Sequence, residues 1–527
     1  MNLRQYYSRG RDFFADPNKV FYTALAIGTI CTIIMTVFYD SILPDTANVY
    51  ARSVRYIAHG NWHDGIVTRA PMFNILLAGL LAKTGLEAVS ALTLVAGVFY
   101  CATCFPLRKF LERYVTQQLA AWGCVLYVSA SLMMQFACSP LLESTRIFFL
   151  ISAIYLFFET LERPGWKKGV LFGLSCGFLM VSRGEGLPVA LALLAGFLPW
   201  GVIFCRHCGF KKQAAVWFLG VVFALLAVSP FCLMNYNKSG YFVTDMRVME
   251  LLTDIGFCEN NNIHKSVEVA AVEPQTVGNS TADTGKTTTV QPYTAPPAEN
   301  NVNLDVQKLV NMGKDILYGA GYLYCALAVL GLLLLIRKKA LRWDYLLFAG
   351  ITMLHLAVYW VIMVSSERYY LFMVPLFMMF TITGVDFIRQ QAVKYLPGYA
   401  LVICCVLCGA MLCWQVRIGI ASAFYKDGKR QKKIAAFIDE YSRKHFPDRQ
   451  LRVASSVPEV PCIYWSNAYH VNGYDRILAR VKPENIYDCD MIVVGKNDHA
   501  PLDARSDLER IPDAPYPEYV RIYRKKQ

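Results

Sequence analysis

The chain has 527 residues, 55% of them hydrophobic, and a formal charge of +13. A soluble fold would leave much of that apolar surface in water, so the mean hydropathy of +0.34 points to a polytopic membrane protein. The positive charge would suggest a nucleic-acid partner if it gathered on one soluble face; here it lies between apolar runs, and no nucleic acid is expected.

In chain order the apolar runs are Val20 to Tyr39, Leu86 to Leu107, Leu119 to Ala137, Ser144 to Thr160, Gly169 to Val181, Leu187 to Phe204, Ala214 to Met234, Asp315 to Ile336, Asp344 to Val364, Tyr369 to Ile388 and Leu401 to Val416. Roughly 17–25 apolar residues cross a bilayer as a helix, so about eleven spans are expected. The first run is followed by further spans and lacks a small-residue cleavage site, which argues against a cleaved signal. Basic residues fill every second loop: Arg4, Arg9, Arg11 and Lys19, then Arg108, Lys109 and Arg113, then Arg163, Lys167 and Lys168. The pattern continues with Arg206, Lys211 and Lys212, with Arg337 to Lys339 and Arg342, and with Arg389 and Lys394. The positive-inside rule places these loops and the N-terminus in the cytoplasm, and the alternate loops and the tail outside. Most of the 17 cysteines fall in apolar spans as small hydrophobes, so no disulfide framework is expected. Cys205 and Cys208 form an isolated CxxC, weak as a metal or redox signal, and the pairing of Cys462 with Cys489 is open.

Three outside segments are large enough to matter. Residues 40–85 contain two amphipathic pieces, Asn48 to His59 and Pro71 to Lys83; the second is short for a span and reads as an interfacial or re-entrant helix. Residues 235–311 have a middle rich in Thr, Pro, Asn and Ala that cannot support a packed core. In the tail, residues 417–527, a polar helix-like stretch through Lys444 precedes strand-like runs at Leu451 to Val457, Met491 to Val494 and Tyr519 to Tyr523. The expected fold is an all-α polytopic membrane domain over residues 1–416 followed by a small soluble α/β domain. The tail lacks GxGxxG and P-loop patterns, so it is not expected to use nucleotides.

Ionisable residues beside apolar spans are costly and mark function. Asp45, Glu143 with Arg146, Arg183 with Glu185, and Glu367 with Arg368 all fall on the expected outside, joined by Arg52, Arg55, His59, His63, Asp64 and Arg69. Several guanidinium groups beside a few carboxylates suit a phosphorylated compound, because guanidinium grips phosphate oxygens bidentately and stays charged. The structural alternative is local: Glu143 pairs with Arg146 at i,i+3, and the Arg183–Glu185 and Glu367–Arg368 pairs cap helices at the water interface.

Pro44-Asp45 and Tyr50 directly follow the first span, His59-Gly60-Asn61-Trp62 contains a Gly-x-Trp turn, and Arg69-Ala70-Pro71 precedes a short apolar helix. Glu143 follows the third span; Ser182-Arg183-Gly184-Glu185-Gly186 and Arg368-Tyr369-Tyr370-Leu371 with Pro375 come later. In order and sidedness this set resembles the GT-C membrane glycosyltransferases, particularly protein O-mannosyltransferases and lipid A aminoarabinose transferases, as far as about Phe387. Ala70 stands where a second Pro is frequent, and Glu143 where Asp is commoner. The WWDYG-type signature of oligosaccharyltransferases is absent, which argues against en bloc glycan transfer.

The resemblance implies a polyprenyl-phosphate-linked sugar donor with its tail in the bilayer, and transfer of a single sugar, with inversion, to a hydroxyl of a lipid, glycan or protein. It implies Asp45 as general base and Glu143 as the group orienting Asp45 or the acceptor. Tyr50, Arg69, Arg183, Glu185, Arg368 and Tyr369 are then the substrate-binding residues, with the arginines on phosphate. No cofactor is required by the sequence. A divalent metal is compatible with it, His59 and His63 being weak candidate ligands because a third is missing. A transporter or lipid flippase would share the spans and buried charges but should show an internal repeat with matching broken helices, and none is evident. A non-catalytic membrane subunit would leave Asp45 dispensable.

Overall fold

The computed structural model describes residues 16–38, 42–43, 46–66, 72–130, 133–137, 139–141, 143–204, 209–244, 321–337, 344–362, 370–395, 427–455, 460–470, 474–475, 480–481, 489–495, 507–512 and 514–526, with isolated positions between them. Where they are described, the expected runs from Val20 to Ile388 are mainly helical; Leu401 to Val416 lies outside the described residues, as do Cys205 and Cys208. Helix α1 is Pro17–Phe38, and α5 (Ala88–Ala102) continues almost directly into α6 (Cys104–Leu111). Then come α7 (Gln117–Ser129), α8 (Glu143–Glu162), α9 (Trp166–Ser182), α10 (Gly186–Phe204), α11 (Phe210–Ser239), α12 (Tyr322–Arg337), α13 (Asp344–Ile362) and α14 (Met373–Tyr395). Among the described residues, five helices are each long and apolar enough to cross a membrane: α1, the continuous α5–α6 piece, α8, α10 and α11. Only structure that satisfies its own backbone polar groups survives in hydrocarbon, which is why apolar runs of this length become helices.

Both amphipathic pieces of the first segment are helical where they are described. A π-helical turn, Thr46–Tyr50, leads into α2 (Ala51–Ala58), followed by the short α3 (Trp62–Gly65) and α4 (Met72–Ala82). With 11 residues, α4 is about 16 Å long, half of what a crossing needs.

Small residues let the helices approach closely, as expected where lipid offers no hydrophobic drive between them. Along the contact of α9 with α11, a Cβ on Gly173 would stand 2.1 Å from the Gly220 carbonyl oxygen, and one on Gly177 2.7 Å from that of Ala224. Gly331 of α12 meets the Phe380 carbonyl of α14 in the same way. Gly173→Leu should therefore push α9 and α11 apart, with an overpacking loss of about 1–3 kcal/mol. Thermal melting in detergent checks this, with Gly196→Ala of α10, which has open space, as the control expected to melt like wild type.

Polar ties at the helix ends define two faces. On one, Arg108 Nη2 reaches Asn18 Oδ1 at 3.0 Å, Arg113 Nη2 reaches Glu162 Oε1 at 2.6 Å, and Tyr114 donates to Asp344 Oδ2 at 3.0 Å. This joins the starts of α1 and α13 to the ends of α6 and α8, as strict alternation of direction requires. The opposite face carries the first segment and the soluble unit.

That unit begins with α15 (Asp427–His445) and contains β1 (Arg452–Ser455), α16 (Val460–Trp465), β2 (Tyr469–His470), β3 (Tyr474–Asp475), β4 (Arg480–Val481), β5 (Met491–Gly495), β6 (Leu508–Arg510) and β7 (Val520–Lys525). The sheet order is β2-β1-β5-β7-β6, with β1 parallel to β2 and β5 and with β7 antiparallel to β5 and β6. The pleat sends Met491 and Val493 to one side, against Ile434 and Ile438 of α15, and Ile492 and Val494 to the other, beside Cys489, Leu508 and Tyr523. Cys462 and Cys489 lie in these separate clusters, and burial pushes the Cys489 thiol up to about 11.

Candidate functional site

Two helix ends build the site. Glu143 opens α8, where the positive end of the helix dipole favours a carboxylate, and Glu143, Ser144, Thr145 and Arg146 are all buried. Arg183 follows the last residue of α9 in extended conformation, φ −169° and ψ 149°, which stops that helix. The chain then turns at once: the Gly186 amide donates to the Arg183 carbonyl at 2.9 Å. A Cβ on Gly186 would lie 2.1 Å from the Leu179 carbonyl oxygen, so this tight link between α9 and α10 depends on glycine.

The turn aims the Arg183 guanidinium at two carboxylates. Its Nη1 lies 2.6 Å from Glu143 Oε1 and its Nε 3.0 Å from Glu185 Oε2, with the three side chains 9%, 2% and 12% exposed. Arg146 is fully buried, with its guanidinium 5.8 Å from the centroid of the Phe372 ring. His355 of α13 stacks on that same ring at 4.0 Å and 21°, and its Nδ1 is 2.9 Å from the Ile351 carbonyl oxygen. Formally, two guanidinium groups balance two carboxylates. Desolvating such charges costs several kcal/mol per ion, which pairing offsets only when the geometry is good. A cluster of this kind among apolar helices is the pattern expected of a working site.

The first segment closes against the cluster. Asn74 of α4 donates to Thr145 Oγ1 at 2.7 Å, with both residues buried. Thr46 donates to the Pro140 carbonyl oxygen at 3.0 Å, three positions before Glu143. Tyr50 is buried at the end of the π-helical turn.

The structure thus brings together Glu143, Arg183 and Glu185 of the residues singled out in the sequence. The local Arg183–Glu185 pair exists, but Arg183 also reaches Glu143, forty positions away. Arg183, expected on phosphate, is therefore engaged with carboxylates. Asp45, Arg69, Arg368 and Tyr369 lie outside the described residues, next to Thr46 in the first case and just before the buried Tyr370 in the last two. His59 is exposed at the end of α2, and the His63 side chain is outside the described residues. Among the described residues no group of three or more His, Cys, Asp or Glu is placed to hold a metal ion. Sequence reasoning missed His355, Asn74 and Phe372. For the first two a signal existed, a single polar residue interrupting an apolar run.

No family model and no curated protein matches the chain. Solved structures do. ArnT from Cupriavidus metallidurans in the apo state is 13% identical, with a TM-score of 0.57 over 95% of this chain and 97% of that one. The same protein bound to undecaprenyl phosphate gives 14% and 0.54 over the same shares. The Archaeoglobus fulgidus oligosaccharyltransferase in the apo form is 11% identical, with a TM-score of 0.56 over 90% of this chain and 69% of that one. These are GT-C glycosyltransferases. The chain has the GT-C fold. The match to ArnT spans nearly all of both chains, so the GT-C likeness extends past Phe387, where the sequence resemblance faded, into the soluble unit.

Proposed function

We propose that this chain is a membrane glycosyltransferase that moves a single sugar from a polyprenyl-phosphate donor to a hydroxyl acceptor, with inversion. The observation that carries the reading is the buried bridge of Arg183 to Glu143 and Glu185, beside Arg146, where a GT-C fold meets its first interhelical segment. Undecaprenyl phosphate bound to ArnT, a protein of the same fold, supports the choice of donor class. The positive-inside rule supports a cytoplasmic N-terminus, with the first segment and the soluble unit in the periplasm, outside the cell or in a lumen. Domains of residues 1–416 and 417–527 belong to the same reading.

In this mechanism the acceptor hydroxyl gives its proton to Asp45 as its oxygen attacks the anomeric carbon. The bond from that carbon to the phosphate oxygen breaks, and polyprenyl phosphate leaves. The Thr46–Pro140 bond supports placing Asp45 and Glu143 in one site, since it ties the neighbour of one to the approach of the other. Glu143 orients Asp45 or the acceptor, and Arg183 holds Glu143 in place. Because Glu143, Glu185, Arg146 and Arg183 balance one another, the charge of the phosphate calls for further cations, and Arg69 and Arg368 supply them. Tyr50, Tyr369 and Glu185 complete the substrate contacts. With guanidinium groups on the phosphate, transfer is proposed to require no cofactor, and a divalent metal is compatible with the same site.

Arg368→Ala should weaken donor binding by about 1.5–3 kcal/mol, the size of a hydrogen bond to a charged group. Lysine should rescue only part of this, lacking the planar fork. Titration of purified protein with a polyprenyl-phosphate sugar tests it. Normal donor binding together with a lowered melting temperature would make Arg368 a helix cap and remove it from the site.

A further inference from the structure

One side chain carries the soluble unit into the helical bundle. Tyr464 of α16 is 4% exposed, and its ring lies in the apolar cluster of the first segment, with Ile42, Ala47, Val54, Ile57 and Met72. Its hydroxyl donates to Glu87 Oε1 at 2.9 Å. The Arg55 guanidinium of α2 stacks 4.1 Å over the Tyr464 ring, with its Nη2 3.7 Å from the same Glu87 oxygen. The other Glu87 oxygen caps α5, accepting from the Val89 and Ser90 amides at 2.6 and 3.1 Å. One carboxylate therefore ties together the start of α5, α2 and the soluble unit. Beside it, Gln431 of α15 meets Ile42 with both amide atoms, accepting its N–H at 3.4 Å and donating to its carbonyl at 3.3 Å.

A buried aromatic ring with a satisfied hydroxyl is the kind of anchor that dominates an interface. Burial, and then the charge of Glu87, push the Tyr464 phenol well above its usual value, so it remains a donor at any working pH.

We infer that Tyr464 is a positioning residue, whose insertion into the first segment holds α2 and the π-helical turn before it in the arrangement that transfers sugar. This rests on the glycosyltransferase reading, in which that turn directly follows Asp45. The soluble unit is then a working part of the active site.

The test compares full-length Tyr464→Ala and Tyr464→Phe in nanodiscs, following transfer, donor KM and hydrogen exchange of peptides covering residues 46–58. Tyr464→Ala should lower kcat by about 10²-fold, the scale of a small misplacement of reacting groups, with donor KM nearly unchanged and faster exchange over 46–58. Tyr464→Phe keeps the ring and the Arg55 stacking and should recover most of both. If Tyr464→Ala does not fold, Glu87→Gln, which weakens the same junction, should show the same kcat-against-KM split at smaller size. Wild-type kcat in folded Tyr464→Ala, or unchanged exchange over 46–58, would overturn the inference. Wild-type protein that transfers no sugar, with exchange still raised in Tyr464→Ala, would instead reject the glycosyltransferase reading and support the anchor.

Discussion

Arg183→Ala is expected to destabilise the folded protein by about 3–5 kcal/mol, because it removes one of the two guanidinium groups that balance two carboxylates in a buried cluster. The side chains of Arg183 and Glu143 are 9% and 2% exposed, so water cannot take over the missing partner. Glu185 loses its contact with Arg183 in the same step. Adding Glu143→Gln to Arg183→Ala removes the excess charge and should recover part of the stability, although not activity. Arg183→Lys should fall between wild type and Arg183→Ala, since one ammonium group cannot bridge two carboxylates in the way a guanidinium does. Thermal melting of the purified variants checks the series. Arg183→Ala melting like wild type would mean that the pair contributes nothing to the fold.

Asp45→Asn should lower transfer by on the order of 10²–10⁴, the usual loss when a general base is removed. The change preserves size and some hydrogen bonding but not the capacity to accept a proton. Donor binding should persist, because a negative charge near a phosphate has been removed. Measuring transfer and donor binding on the same folded preparation separates this from misfolding. Folded Asp45→Asn with wild-type transfer would take Asp45 out of the mechanism and make Glu143 the next candidate for the base.

The membrane helices were legible in the sequence because an apolar run of spanning length has only one way to satisfy its backbone in lipid. The short helix α4 was legible for the same reason, its run being too brief to cross. In the soluble unit the runs at Leu451, Met491 and Tyr519 became β1, β5 and β7, whereas β2, β3 and β4, two residues each, are too short to show a period. The break at the end of α7, where a separate π-helical turn runs from Met133 to Ala137, was hidden within one continuous apolar run.

The candidate site was legible only in part. Sequence spacing exposes i,i+3 neighbours, so Glu143–Arg146 and Arg183–Glu185 presented themselves as local pairs. The bridge from Arg183 to Glu143 depends on how α8 packs against α9, which no local pattern encodes. The stacking of His355 on Phe372 and the insertion of Tyr464 beside Glu87 are tertiary in the same sense. In each case the residue type was a hint and the partner was not.

The most direct measurement places the purified chain in vesicles with a synthetic polyprenyl-phosphate sugar and a hydroxyl acceptor, and follows both the sugar and the lipid phosphate. The expected result is sugar on the acceptor with an equal amount of polyprenyl phosphate released, and with the anomeric configuration inverted. Donor that binds and crosses the bilayer with its sugar still attached would contradict glycosyl transfer and make the chain a lipid transporter.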